Sequence, residues 1–327
     1  MHRFLPLVAI VTVALITACS GTPEPESQQA PTSESPPASP SASASPSASA
    51  SRSPSAPDRN RSTPTLPSGG HEVLPDHRLV GFSGGRSEAF GRLFIENLDT
   101  APAQLDRIAA KYASGVDQVI PVFELITVIA HRTPGPDGMY RTREPDHVIQ
   151  TYLDAARDHG ALLLLNIQPG RAGFVDELRH LERWLSEPDV GVALDPEWAV
   201  SPGEVPGEVY GSTTGQELDD AAAYLSSLVH QHDLPEKVMV FHQVHASVVR
   251  DEGKLRRHPG VVPIKSVDGI GARSDKEDTW RTLMRRTTSD VHAGFKLFFD
   301  EDTHSGPLMT PDQVLSLTPT PVYVMYE

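Results

Sequence analysis

The chain has 327 residues, a net charge of −15 at pH 7 and a single cysteine. One cysteine excludes an intramolecular disulfide framework, and the acidic balance argues against nucleic acid or an anionic membrane surface as partner. A neutral or basic ligand fits that balance, as does plain solubility.

The N-terminus reads as an address. Arg3 gives a positive start, and an apolar run follows from Leu5 to Ile16. That run is shorter than the roughly 20 residues a membrane-spanning helix needs, but it suits the core of an export signal. It ends in Ile16-Thr17-Ala18-Cys19. This ending resembles the lipobox of bacterial lipoproteins, which implies cleavage before Cys19 and acylation of its thiol. Residues 1–19 are then a lipoprotein signal peptide together with its lipobox cysteine. The protein is expected on the extracytoplasmic face of the cell membrane, touching it through the lipid anchor alone.

Residues 20–70 are mostly Ser, Pro, Ala, Thr and Gly. Such a stretch has too little apolar surface to offset the entropy of ordering, so a disordered tether is expected. Its reach is on the order of 150 Å extended, or about 40 Å as a coil. Over residues 1–70 the charges cancel (Arg3, Arg52, Arg59 and Arg61 against Glu24, Glu26, Glu34 and Asp58), so the following domain carries the acidity.

From residue 71 short apolar runs alternate with amphipathic stretches. The runs are 79–83, 118–126, 161–167, 190–195, 237–243, 260–266, 293–299 and 321–326. Continuous apolar runs mark strands buried on both faces, as in parallel sheets. Eight of them in a domain spanning 71–327 predict an α/β fold of the (β/α)8 TIM-barrel type. Helices are expected from Thr100, after Pro145 and up to Gly160, along Phe174–Leu185, and along Leu218–Val229. Capping boxes at Ser274/Glu277 and Thr310/Gln313 predict two more. The stretch 246–259 is a poor helix with Gly253 inside it. With Glu327 directly after the last run, closure is expected without a final helix, or with 86–98 covering that gap.

In this fold chemistry belongs at the carboxyl ends of the strands. There the sequence turns polar: Glu124 in run two, Asn166 and Gln168 in run three, Asp195, Glu197 and Trp198 after run four, and His242, Gln243 and His245 in and after run five. Lys265 and Asp268 follow in run six, Lys296 and Asp300 in run seven, and Tyr326 and Glu327 in run eight. Because side chains alternate along a strand, Asn166, Gln168, Asp195, Glu197, Lys296 and Asp300 are expected to face inward. Inward polar layers can be purely structural. Several of them converging at one end favours a binding site.

Gly191-Val192-Ala193-Leu194-Asp195-Pro196-Glu197 resembles the end of the strand-four signature of chitinase-like glycoside hydrolases. That resemblance implies Glu197 as the acid that protonates a glycosidic oxygen, with Asp195 adjusting it. The family's two earlier aspartates fall on Val190 and Ala193 here. As a whole the chain resembles secreted barrel lipoproteins of high-GC bacteria, which assigns no activity. Glycoside hydrolysis needs one protonated and one ionised carboxyl, and the second partner is Glu124 or Asp300. Trp198 and Tyr210 are candidates for stacking on a sugar. Asn166, Gln168, Gln243, His245, Lys265, Lys296 and Tyr326 complete the candidate binding set. The expected function is hydrolysis of extracellular or cell-wall glycan by a monomer without a cofactor. Two alternatives stay open: a barrel that binds glycan or another small ligand without turnover, and a metal-dependent hydrolase or phosphodiesterase that uses His242 or His245 beside Asp195 and Glu197.

Overall fold

The computed structural model describes residues 63–327. The signal segment, Cys19 and the tether up to residue 62 lie outside the described residues. The expected tether boundary at residue 70 is a little late. Leu66 and Val73 are already buried, packed with Leu79 and Ile120 on the barrel axis.

Among the described residues eight parallel strands close on themselves. They are β1 (His77–Gly84), β2 (Gln118–Ala130), β3 (Leu162–Ile167), β4 (Val190–Leu194), β5 (Lys237–Gln243), β6 (Val261–Val267), β7 (His292–Leu297) and β8 (Tyr323–Tyr326). Neighbours pair in chain order, and β8 pairs with β1 through Leu79 opposite Tyr323, which completes a (β/α)8 TIM barrel. Closure uses no helix after β8. Segment 86–98 instead folds over the carboxyl end of β1, where Leu93 N donates to Ser83 O.

The alternation of side chains splits the core in two. Leu79, Ile120, Val122, Leu162, Leu164, Ala193, Val238, Val240, Val262 and Ile264 fill the axis. The opposite faces, among them Leu163, Leu165, Val192, Leu194, Met239 and Phe241, meet the helices. Both faces are apolar, which explains why the runs are continuous.

The helices are α1 (Ala101–Ala109), α2 (Asp146–His159), α3 (Phe174–His180), α4 (Glu182–Leu185), α5 (Gly215–His232), α6 (Arg273–Met284) and α7 (Pro311–Leu315). In α2, Val148, Ile149, Tyr152, Leu153 and Ala156 form one buried stripe at helical spacing, and Gly160 ends the helix at φ 66°. Thr310 and Gln313 form the expected capping box. Ser274 and Glu277 do not: α6 starts two residues earlier, with Ala272 as its N-cap, and Glu277 pairs with Arg273 instead. Between β5 and β6 there is no full helix among the described residues. A two-residue strand, Val249–Arg250, pairs with Thr213–Thr214, and a single 3-10 turn follows at Glu252–Lys254.

β2 runs on beyond the barrel and turns back through Arg141–Arg143 as an antiparallel hairpin. Fully buried Glu177 of α3 anchors it, accepting from Arg141 Nε at 2.8 Å and Arg143 Nε at 2.6 Å. The hairpin tip leans on the loop after β3, where Arg171 N donates to Met139 O.

Candidate active site at the barrel mouth

The apolar axis gives way to a polar layer at the carboxyl ends of the strands. Glu124 from β2 is fully buried. Its Oε2 accepts from the Tyr323 hydroxyl at 2.5 Å, and its Oε1 accepts from Asn166 Nδ2 at 3.1 Å. Gly294 makes room for that tyrosine: a Cβ there would lie 2.9 Å from the ring. The same Asn166 nitrogen donates to Asp195 Oδ1 at 3.1 Å, and Gln168 Nε2 donates to Asp195 Oδ2 at 3.3 Å. One amide thus bridges two carboxylates, which holds their oxygens within about 6 Å of each other.

His242 lies at the centre of the layer. Its Nδ1 donates to Asp268 Oδ2 at 2.7 Å, and Ser266 Oγ donates to Asp268 Oδ1 at 2.7 Å. Nε2 faces Glu124 Oε1 at 3.3 Å and Asp195 Oδ1 at 3.8 Å, and it makes no hydrogen bond of good geometry. Lys296 Nζ contacts Glu327 Oε2 at 2.7 Å and Asp268 Oδ2 at 3.8 Å. Ser83 Oγ also donates to Glu327 Oε2, at 3.0 Å.

These contacts push the titrations apart. Burial would raise the Glu124 carboxyl, but His242, Lys296 and the Tyr323 hydroxyl outweigh it and hold the group at about 2. Asp268 is likewise lowered: burial opposes, and His242, Lys296 and Ser266 prevail. The His242 imidazole is raised well above its ordinary value despite burial, because Asp268, Glu124 and Asp195 favour its charged form. Asp195 is raised by burial, with Glu124 and Asp268 adding to the effect. Glu197 is raised well above the usual carboxyl range, by burial first and then by Asp195 and Asp268. Glu197 is only half-buried as a residue, yet its Oε2 is shielded and has no partner. It directly follows Pro196 in the 3-10 turn that leaves β4.

The structure brings Glu124, Asn166, Gln168, Asp195 and Lys296 together in the mouth, with Glu197 three residues beyond the end of β4. Several expected positions differ. Asp300 does not point inward: its side chain is 84 % exposed and 3.5 Å from Arg92, because β7 ends at Leu297 and the alternation stops there. Lys265 faces the helices, paired with Glu252 and donating to Leu283 O. Tyr326 also faces outward, its hydroxyl 2.6 Å from that of Tyr112. His245 is exposed and bonded to Ser247, while Gln243 bonds back to His245 O. Trp198 lies beside Gly207 of its own loop, where a Cβ would be 3.6 Å from the ring, and Tyr210 is 65 % exposed.

Met139, Val209, Tyr210 and Ile270 are large apolar side chains left exposed. They lie on the loops after β2, β4 and β6, at the mouth end of the barrel. Among the described residues no group of three or more His, Cys, Asp or Glu side chains is arranged to hold a metal ion.

Ser83, Ser266 and Tyr323 were not among the residues the sequence singled out, and His242 entered only as a ligand in the metal-dependent alternative. The register carried a signal for two of them. His242 alternates with Val238 and Val240, and Tyr323 with Met325, all of them axis-facing.

No protein-family profile matches the chain, and no curated protein matches it. Among solved structures it is similar to the spore coat polysaccharide biosynthesis protein spsE of Bacillus subtilis, at 14% identity and a TM-score of 0.39, over 76% of this chain and 59% of that one. The chain therefore spans less than two thirds of that protein's length.

Proposed function

We propose that this chain is a lipid-anchored barrel on the extracytoplasmic face of the cell that hydrolyses glycosidic bonds in extracellular or cell-wall glycan. The observation that carries the reading is Glu197: a carboxyl raised well above its ordinary range, with an unpartnered Oε2, at the mouth of the barrel. A carboxyl kept protonated at neutral pH is the group that donates to a departing glycosidic oxygen. Asp195, two residues before it, contributes to that shift by proximity. Glu124 is the carboxylate held ionised opposite, and it stabilises positive charge that develops in the sugar ring. Gln168 and Lys296 line the approach, and Tyr210, Val209, Met139 and Ile270 give the rim apolar faces for sugar rings.

A second reading has its own support. Glu124 is sealed beneath Tyr323, Asn166 and His242, which suits a rigid binding pocket as well as a reacting one. The experiment that separates the two compares binding and hydrolysis of a glycan panel by wild type and Glu197→Gln. Turnover lost in the variant with binding kept is expected. Binding without turnover in either protein leaves a glycan-binding barrel, and neither binding nor turnover removes the glycan reading.

A further inference from the structure

A row of alternating charge crosses the mouth. Glu327 contacts Lys296 at 2.7 Å, Lys296 lies 3.8 Å from Asp268, and Asp268 accepts from His242 at 2.7 Å. The far nitrogen of the imidazole faces Glu124 at 3.3 Å and Asp195 at 3.8 Å. The charged and polar groups of the site come from six other strands or their ends: Glu124 from β2, Asn166 from β3, Asp195 and Glu197 from the end of β4, Asp268 just past β6, Lys296 from β7 and Tyr323 from β8. Each acid in the row has a cation beside it. Glu197 stands past the end of the row, with no ion-pair partner and no hydrogen bond to Oε2.

Building on the acid role given to Glu197, we propose that His242 is the positioning residue that decides which carboxyl carries the site's proton. Its charge, fixed by Asp268, keeps Glu124 and Asp195 as carboxylates, so the proton is left on Glu197. Two close carboxyls in a shielded site do not both ionise readily, and the proton goes to the one further from a cation. His242 is fully buried and has one firm partner, the Asp268 carboxylate, which only accepts; Nδ1 therefore carries a hydrogen. Nε2 is then left to act on Glu124 and Asp195 through its field. Taking that charge away would make Asp195 the better proton holder and turn Glu197 into a carboxylate, disarming the acid without touching it.

The test reads the proton directly. The full chain, as wild type and as His242→Gln, is compared by infrared spectroscopy of the protonated-carboxyl stretch at neutral pH, each with and without Glu197→Gln. In wild type one component of the band is expected to disappear with Glu197→Gln. In the His242→Gln background that component is expected to survive Glu197→Gln and to disappear on Asp195→Asn. Loss on Glu197→Gln in both backgrounds would overturn the proposal. If His242→Gln does not fold, Asp268→Asn keeps an acceptor for Nδ1 but removes the negative charge that favours the charged imidazole. It is expected to move the proton in the same way, and an unmoved proton overturns the proposal again. Stoichiometric binding of Zn2+ or Mn2+, added alone and abolished by His242→Gln, would also overturn it, since Nε2 would then be a ligand. A moved proton without glycan turnover keeps this assignment and removes only the glycosidase reading, so the two failures are distinguishable.

Discussion

Replacing Glu124 by Gln keeps the shape of the side chain and deletes its charge. The native carboxyl accepts from Tyr323 at 2.5 Å and from Asn166 at 3.1 Å, and it faces His242 at 3.3 Å. That environment holds it at about 2, against an ordinary 4.5. At about 1.4 kcal/mol per pKa unit, the difference corresponds to about 3 kcal/mol of folding stability. The contribution is fully present above pH 4.5, where the unfolded chain's carboxyl is ionised. It is lost as the pH falls through about 2, where the folded carboxyl takes up its proton. Urea unfolding of wild type and Glu124→Gln at a series of pH values reads this directly. Wild type is expected to be the more stable by about 3 kcal/mol at pH 7, with a melting midpoint roughly 10 °C higher. The gap should close as the pH approaches 2. A gap that stays constant across that range would mean that hydrogen-bond shape, not charge, holds this residue, and the electrostatic account of the site would be wrong.

Burial lowers the Lys237 ammonium to about 7, while its Nζ donates to Glu187 O and Val190 O. The cost of burying that charge is full below pH 7 and fades toward 10.5, so wild type should gain roughly 3 kcal/mol over Lys237→Met between pH 7 and 9.5 in chemical denaturation; parallel curves would contradict this. Glu177→Ala leaves Arg141 and Arg143 without their buried partner and should cost about 3–5 kcal/mol, with faster proteolysis at the 131–140 hairpin. Gly294→Ala puts a methyl 2.9 Å from the Tyr323 ring; the melting temperature should fall by the equivalent of about 1–3 kcal/mol, and the near-ultraviolet tyrosine signal should change. Cys19→Ser should release the protein from membranes into the medium, which fractionation and mass spectrometry of the N-terminus would detect.

The barrel was legible because burial on both faces writes itself into the sequence as unbroken apolar runs, and each of the eight runs overlaps one of the strands. Alternation also put Asn166, Gln168, Asp195 and Lys296 on the correct face. It failed where the strands stop. Asp300 lies three residues past Leu297, where the chain has turned into a 3-10 segment and parity no longer applies. Lys265 misled because lysines near strand ends draw attention as site residues, whereas this one alternates with axis-facing Ile264 and pairs with Glu252 behind the barrel. The part His242 plays escaped because its alternation with axis-facing Val238 and Val240 fixes the face it points to but not its partners. Its role arises from Asp268 and Glu124, which are 26 and 118 residues away in the chain and adjacent only after closure.

The short ribbon between Thr213–Thr214 and Val249–Arg250 ties the loop after β4 to the loop after β5. In most barrels of this class each such loop varies independently, which is how one scaffold takes up new chemistries. Here the loops after β2, β3, β4 and β5 are joined in series by main-chain hydrogen bonds, Arg171 N to Met139 O, Val200 N to Gly170 O and the ribbon itself, and they are expected to diversify as a linked set. A graft that replaced the β4 loop alone would leave the 246–250 stretch without its template and Gly170 without its partner, so neighbouring loops must be transplanted with it.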